Sequence, residues 1–289
     1  MDEIREIKIT DKNYPKRLKE IKDAPDVLYI RGKIPLADHY LGIVGTRQYT
    51  IYGKQVALDI SSDIAKSGII IISGMAQGID TFAHMAAIEN NTPTIAVLGT
   101  GLDEKSIYPQ SNIKLSRRII EKGGCLISEY PPGTHGNKAT FPKRNRIIAA
   151  LSEGIVVIEA KDKSGSLITA DWAKKMEKPI FAIPGSIYSQ FSDGCHKLIK
   201  QGAIFTTSYQ DILKKIGITN KKSKKDIFSI NLTNKEKMVL KAILDNNCDI
   251  DSIARKTKLS IQDVCISISN LEINKKIKNL GGNIFTIFK

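Results

Sequence analysis

From residue 41 onward, short apolar runs alternate with stretches whose apolar residues recur every three or four positions. Leu41–Val44, Ile69–Ile72, Thr94–Leu98, Cys125–Ser128, Ile155–Ile158 and Ile180–Ile183 predict buried strands. Their apolarity is continuous rather than alternating, which suits a parallel sheet covered on both faces. Helical patterns lie between them, near 51–66, 78–90, 110–122, 143–152 and 165–177. Strict alternation of strand and helix predicts βαβ units and a doubly wound, Rossmann-like α/β core over 41–213, preceded by a short N-terminal segment, 1–40.

The pattern changes after residue 211. A lysine-rich, sparsely apolar stretch, 214–228, reads as a basic linker. Helical patterns follow at 233–245, Ile250–Thr257 and Ile261–Asn274, then strands at Lys276–Leu280 and Ile284–Phe288. Three helices and a hairpin predict a winged-helix domain over 229–289. Its longer helix carries Gln262, Asp263, Ser267, Ser269, Asn270 and Glu272 but no cation before Lys275. A major-groove reader usually brings Arg or Lys to the bases, so a protein-contact role is an equal expectation.

Charge changes this picture in one direction. The formal net charge is +14, and residues 211–289, with 16 basic and 8 acidic side chains, carry more than half of it. Such a surplus suggests a polyanionic partner, although a Lys-, Ile- and Asn-rich composition raises pI by itself. Cys125, Cys195, Cys248 and Cys265 are widely spaced, with no His at ligand spacing, which argues against a disulfide framework or zinc site. The start, MDEIREIKIT, lacks a signal-peptide core, and no apolar run approaches ~18 residues, so a cytoplasmic protein is expected.

Ligands of doubly wound sheets collect outside the carboxyl ends of the strands. Those ends read Gly45-Thr46-Arg47, Ser73-Gly74-Met75-Ala76-Gln77-Gly78, Gly99-Thr100-Gly101, Ser128-Glu129-Tyr130 and Pro184-Gly185-Ser186. Glycines admit a ligand close to the backbone, and free N–H groups at the following helix starts favour phosphate. The densest cationic cluster is Lys138-Ala139-Thr140-Phe141-Pro142-Lys143-Arg144-Asn145-Arg146. Cations neutralise phosphates while an aromatic face stacks on an unpaired base, a combination suited to single strands. A solvated basic turn with Phe141 plugging the core is the plainer alternative. Lys161, Lys163, Ser164, Gly165 and Ser166 offer a second phosphate cradle or an ordinary helix cap.

Catalytic motifs are sparse. Asp80 and His84 share a helical face as an acid–base pair or as unrelated core groups. Glu129 and Glu159 end strands with no obvious partner. There is no P-loop, no G-x-S-x-G and no metal triad. No cofactor is expected.

Several stretches together resemble the DNA-processing protein A (DprA, or Smf) family of bacterial natural transformation. They are Tyr14-Pro15 with Leu18 and Ile21, Pro25 with Leu28-Tyr29, Gly45-Thr46-Arg47 with Tyr52-Gly53, and 73–80. Residues 128–131, 141–148, 164–170 and 184–186 continue the match in order. The resemblance implies a non-enzymatic protein that binds and protects incoming single-stranded DNA, helps load a RecA-type recombinase, and forms a homodimer through its α/β core. It assigns the DNA pocket to Gly45, Arg47, Lys138, Phe141, Arg144 and Arg146, with Ser166 and Gly185 added. Thr50 replaces the family's usual Ser, which keeps the hydroxyl, and the segment before residue 40 is short for the helical domain of some members.

Two rivals remain. Around Arg144–Ala160 the chain also resembles cytokinin-activating phosphoribohydrolases, but Thr169 stands where their working Glu falls, and a hydroxyl cannot serve as that base. A duplex-binding regulator with an α/β ligand sensor is the other.

Overall fold

The computed structural model describes residues 3–218, 232–245, 248–274, 276–279 and 281–287. The chain divides into two compact units, residues 1–219 and 220–289. In the first unit the expected strands appear as β3 (Tyr40–Gly45), β4 (Ile70–Ser73), β5 (Thr94–Leu98), β6 (Cys125–Ser128), β7 (Ile155–Ile158) and β8 (Ile180–Ala182). Three more strands, β1 (Ile4–Lys8), β2 (Val27–Gly32) and β9 (Ile204–Phe205), complete a sheet of order β1-β2-β6-β5-β4-β3-β7-β8-β9. From β6 to β9 all neighbours run parallel. β2 pairs antiparallel with both β1 and β6.

The helices are α1 (Lys16–Lys19), α2 (Ile51–Lys66), α3 (Ile79–Glu89), α4 (Ile113–Glu121), α5 (Thr140–Leu151), α6 (Gly165–Lys175), α7 (Asp193–Lys200) and α8 (Tyr209–Lys215). Alternate residues of each strand enter opposite cores. Ile70, Ile72, Ile155 and Val157 pack under α5 and α6, whereas Ile71, Val156 and Ile158 pack under α2 and α3. Period-two side-chain placement on a sheet covered on both faces requires this continuous apolarity.

The N-terminal segment is not an appendage. β1, α1 and β2 belong to the sheet unit, and Tyr14, Leu18, Leu28 and Ile30 lie wholly within its core. Tyr14 donates its hydroxyl to the Pro25 carbonyl at 2.7 Å. The domain expected to begin at 41 therefore begins at the start of the described chain. Its expected end at 213 also fell within α8. Most of the expected linker, from residue 219, lies outside the described residues.

The second unit contains α9 (Asn234–Leu244), α10 (Ile250–Thr257), α11 (Ile261–Ile273) and an antiparallel pair, β10 (Ile277–Asn279) and β11 (Phe285–Ile287). Val239, Leu240, Ile253, Val264, Leu271 and Phe285 form its core. Each helix start is capped: Thr233 with Glu236 in a capping box, Asp249 on Ser252, and Ser260 on Asp263. Among the described residues, no helix is long and apolar enough to cross a membrane.

Because Leu28 is wholly buried, Leu28→Ala is expected to lower stability by about 2–5 kcal/mol in urea denaturation. An unchanged midpoint would mean that residues 1–40 do not share the core.

Candidate nucleic-acid interface

Strand order reverses at β3, which has β4 on one side and β7 on the other. Chain connections leave this point in opposite directions, opening a crevice at the carboxyl ends. A cleft of about 790 Å³ lies there. The turn after β3, the turn after β7 and the start of α5 supply most of its walls.

Close backbone approach shapes the floor. A Cβ on Gly45 would lie 2.0 Å from the Ile158 carbonyl oxygen, so β3 and β7 can meet here only without a side chain. Thr46 then accepts the Ile79 amide at 3.3 Å, and the Thr46 hydroxyl donates to the Gln48 carbonyl at 2.8 Å. These bonds turn the chain so that Arg47 stands exposed at the rim. Across the cleft, Asn137 Oδ1 accepts the amides of Ala139 and Thr140 at 2.8 and 3.1 Å, starting α5.

That start falls three residues earlier than the apolar pattern suggested, and the difference decides which side chains face the cleft. Residues two apart on a helix point about 200° apart. Phe141, Arg144, Asn145 and Ile148 share the cleft-facing side. Arg146 turns the other way. It pairs with Glu129 at 2.8 Å, and Lys143 joins the same carboxylate at 3.1 Å. Arg146 does not line the cleft, contrary to its expected place in the pocket. Gly185 also lies outside the lining; its carbonyl is 3.1 Å from His196 Nε2.

Gly45, Arg47, Lys138, Phe141, Arg144 and Ser166 do border one space. Their surroundings differ. Arg47 and Lys138 are exposed, and the Arg47 guanidinium lies 5.5 Å from the Phe141 ring centre. Arg144 is buried, donating to Asn145 Oδ1 at 3.1 Å, to the Gly74 carbonyl at 2.7 Å and to the Val97 carbonyl. Burial lowers its pKa to about 10, with Asp80 opposing, so it stays charged at neutral pH. Ser164 Oγ accepts the Ser166 amide at 3.4 Å, so the α6 start has its own cap, and the two hydroxyls are 2.8 Å apart. Lys161 and Lys163 complete the cationic lining. Sequence reasoning missed Gln48, Tyr108 and Asn137. Tyr108 is half exposed, with its ring centre 5.6 Å from that of Phe141, but it sits in a loop whose sequence carries no periodic signal.

The acid–base candidates resolve into structural roles. Asp80 Oδ2 accepts the amides of Gly74 and Ala76 at 3.1 and 3.4 Å. Its pKa is raised by burial, against Arg144 and these amides. His84 is buried elsewhere, its Nδ1 sharing a 2.8 Å hydrogen bond with the Thr94 hydroxyl. Burial and then Arg144 hold its pKa down to about 3, so it is neutral. The two form no relay. Glu129 and Glu159, expected to lack partners, both have them: Glu159 accepts the Thr50 hydroxyl at 2.5 Å and the Thr50 amide at 3.0 Å, fixing the start of α2. Among the described residues, no cluster of His, Cys, Asp or Glu is arranged to hold a metal ion.

Comparison with known proteins places this geometry. Residues 5–217 match the family described as DNA recombination-mediator protein A. The chain is 43% identical over 215 residues to DNA processing protein DprA of Bacillus subtilis, covering 74% of this chain and 71% of that one. It resembles the X-ray structure of DprA from Streptococcus pneumoniae with a TM-score of 0.67 at 42% identity, covering 74% of each chain. A structure of DNA processing protein A from Helicobacter pylori, described for its single-stranded DNA binding mode, matches with a TM-score of 0.65 at 32% identity. That match covers 75% of this chain and 98% of the other.

The neutral His84 makes a prediction about pH. Unfolded histidine takes up a proton below about 6.5, whereas native His84 does so only near 3. Its contribution is therefore present above pH 6.5 and is lost as pH falls. Relative to wild type, His84→Gln should flatten the pH dependence of unfolding free energy between about pH 6 and 4 by up to ~1.4 kcal/mol per pH unit, measured by urea denaturation.

Proposed function

Given that the chain belongs to the DNA recombination-mediator protein A family, we propose that its α/β unit grips single-stranded DNA in the cleft at the β3/β7 switch point. The supporting observation is the composition of that cleft. Arg47, Lys138, Arg144, Lys161 and Lys163 line it against one carboxylate, Asp80, among the described residues. Phe141 and Tyr108 bring aromatic rings into the same lining. Phosphates meet the cations while an unpaired base stacks on a ring, a contact that duplex DNA does not offer. Relatives that carry the DprA name, and the single-stranded mode described for the Helicobacter pylori protein, support the same role. The protein accordingly acts on incoming DNA in natural transformation, protecting it and helping to load a RecA-type recombinase.

The role is non-enzymatic in this reading, and the protein is cytoplasmic. Asp80 is bound by backbone amides, and Thr169 is buried in the cleft wall where a phosphoribohydrolase would need its carboxylate. A homodimer forms through the α/β core, whose edge strand β9 leaves Phe205 exposed. The second unit is a winged helix that serves protein contact. Its α11 offers few free polar groups for base reading: Asp263 pairs with Lys235 at 2.7 Å, Asn270 donates to Glu236 at 3.1 Å, and Ser267 is buried.

Fluorescence anisotropy with one mixed sequence, as single strand and as duplex, tests the assignment. The single strand should bind more tightly, with affinity falling as salt rises by a log–log slope of about −0.7 per phosphate contacted. Arg47→Ala and Lys138→Ala should weaken binding to every sequence. Phe141→Ala should cost about 1–3 kcal/mol. Duplex preference, or wild-type affinity in folded Arg47→Ala, would overturn the cleft as the binding site.

A further inference from the structure

The side of α5 that faces away from the cleft borders a second cavity, of about 470 Å³, between the segment around α1 and the end of α6. Arg146, Arg17, Lys175, Lys178 and Trp172 line it. Lys22 adds a fifth cation, against the carboxylates of Glu20 and Asp23.

Arg146 is 4% exposed, and its Nη2 is engaged by Glu129. Its Nε and Nη1 are buried without a hydrogen-bond partner. Arg17 repeats the arrangement: Nη2 meets Glu153 at 2.5 Å, while the buried Nη1 has no partner. Three guanidinium nitrogens on two arginines of one cavity therefore lack acceptors. Buried donors are nearly always satisfied, and leaving a charged one unmet is costly. Lys178 is different. It donates to the carbonyls of Ala149, Ala150 and Ser152 at 2.9, 2.6 and 2.6 Å and so closes the end of α5. Lys175 remains exposed, its ammonium 4.7 Å from the Trp172 ring centre.

We propose that this cavity binds a phosphate-bearing small molecule, with its oxyanion accepting from Arg146 and Arg17 and Lys175 at its edge. Guanidinium groups present paired donors that match phosphate oxygens. The five cations stand against four carboxylates, Glu20, Asp23, Glu129 and Glu153, so the unmet guanidinium donors rather than net charge argue for an anion. The volume suits a ligand the size of a nucleotide, and Trp172 offers it a ring. The site is separate from the DNA cleft, because residues two apart on α5 serve the two.

Trp172 is the chain's single tryptophan, so its emission reports on this cavity. The full chain is titrated with inorganic pyrophosphate and, separately, with a single-stranded oligonucleotide. A saturable emission change is expected with pyrophosphate, half-complete at or below ~1 mM. Arg17→Gln and the exposed-site variant Lys175→Gln should each weaken it at least ~10-fold, while Lys175→Gln leaves oligonucleotide affinity unchanged and Arg47→Ala leaves the pyrophosphate response intact. No saturable response, or equal affinity in Lys175→Gln, overturns the site. A response to oligonucleotide alone, abolished by Arg47→Ala, also overturns it and assigns the phosphate contact to the DNA strand.

Discussion

One buried cation organises the carboxyl rim of the sheet. The Arg144 guanidinium donates to the carbonyls of Gly74 and Val97, residues that follow β4 and lie in β5, and it reaches them from the second turn of α5. Gly74 must lack a side chain, since a Cβ there would lie 2.5 Å from Arg144 Nη2. Burying a guanidinium is tolerable when its donors are taken up by fixed acceptors and a carboxylate stands nearby. Asp80 supplies that carboxylate, held by the amides of the turn in which Gly74 sits. The first turns of α5 are thereby fixed over the strand ends. With them come Phe141 and Lys138 on the cleft side and, by helical geometry, Arg146 on the other.

The strands from Tyr40 to Ala182 were legible in the sequence because burial on both faces leaves unbroken apolar runs. Edge elements were not. β1 reads Ile4-Arg5-Glu6-Ile7-Lys8 and is mostly exposed, while β9 is two residues long, too short for any period. The start of α5 was hidden for a different reason. Thr140–Arg146 contains one apolar side chain besides Pro142, so its helical turn is set by Asn137, Arg144 and Gly74 rather than by amphipathicity. A cluster of cations read as one loop becomes, on a helix, two opposed faces. Arg146 lies on the face away from the cleft, a direction that depends on where the helix begins. Gly185 lies outside the cleft lining, since a glycine after a strand marks a tight approach without saying to what; here a Cβ would meet Ser192 Oγ.

The segments that carry the resemblance stated from the sequence, Tyr14 to Ser186, all fall within the family match over residues 5–217. What neither contains is the division of labour among like residue types. Glu129 and Glu159 close strand-end contacts, and Ser164 caps α6. Residues that read as equally available by type are thus mostly committed to the fold.

That division bears on how the cleft can treat a strand. Arg144 has less to offer a ligand than the exposed cations, because its Nε and Nη1 are already committed to Asn145, Gly74 and Val97. Arg47, Lys138 and Lys163 are exposed, and Lys161 makes a surface contact to Gln48 at 3.1 Å and lies 4.6 Å from the Phe191 ring centre. Exchanging such solvated contacts for phosphate costs little desolvation, and the released counterions drive the exchange. Base-edge recognition would instead need buried donors and acceptors held at fixed positions and left unmatched by the wrong base. The inflexible polar groups of this rim are spent on backbone carbonyls and amides. If the cleft takes single-stranded DNA as proposed, this placement of polar groups suits a phosphate backbone with a base stacked on Phe141 better than it suits base-edge readout.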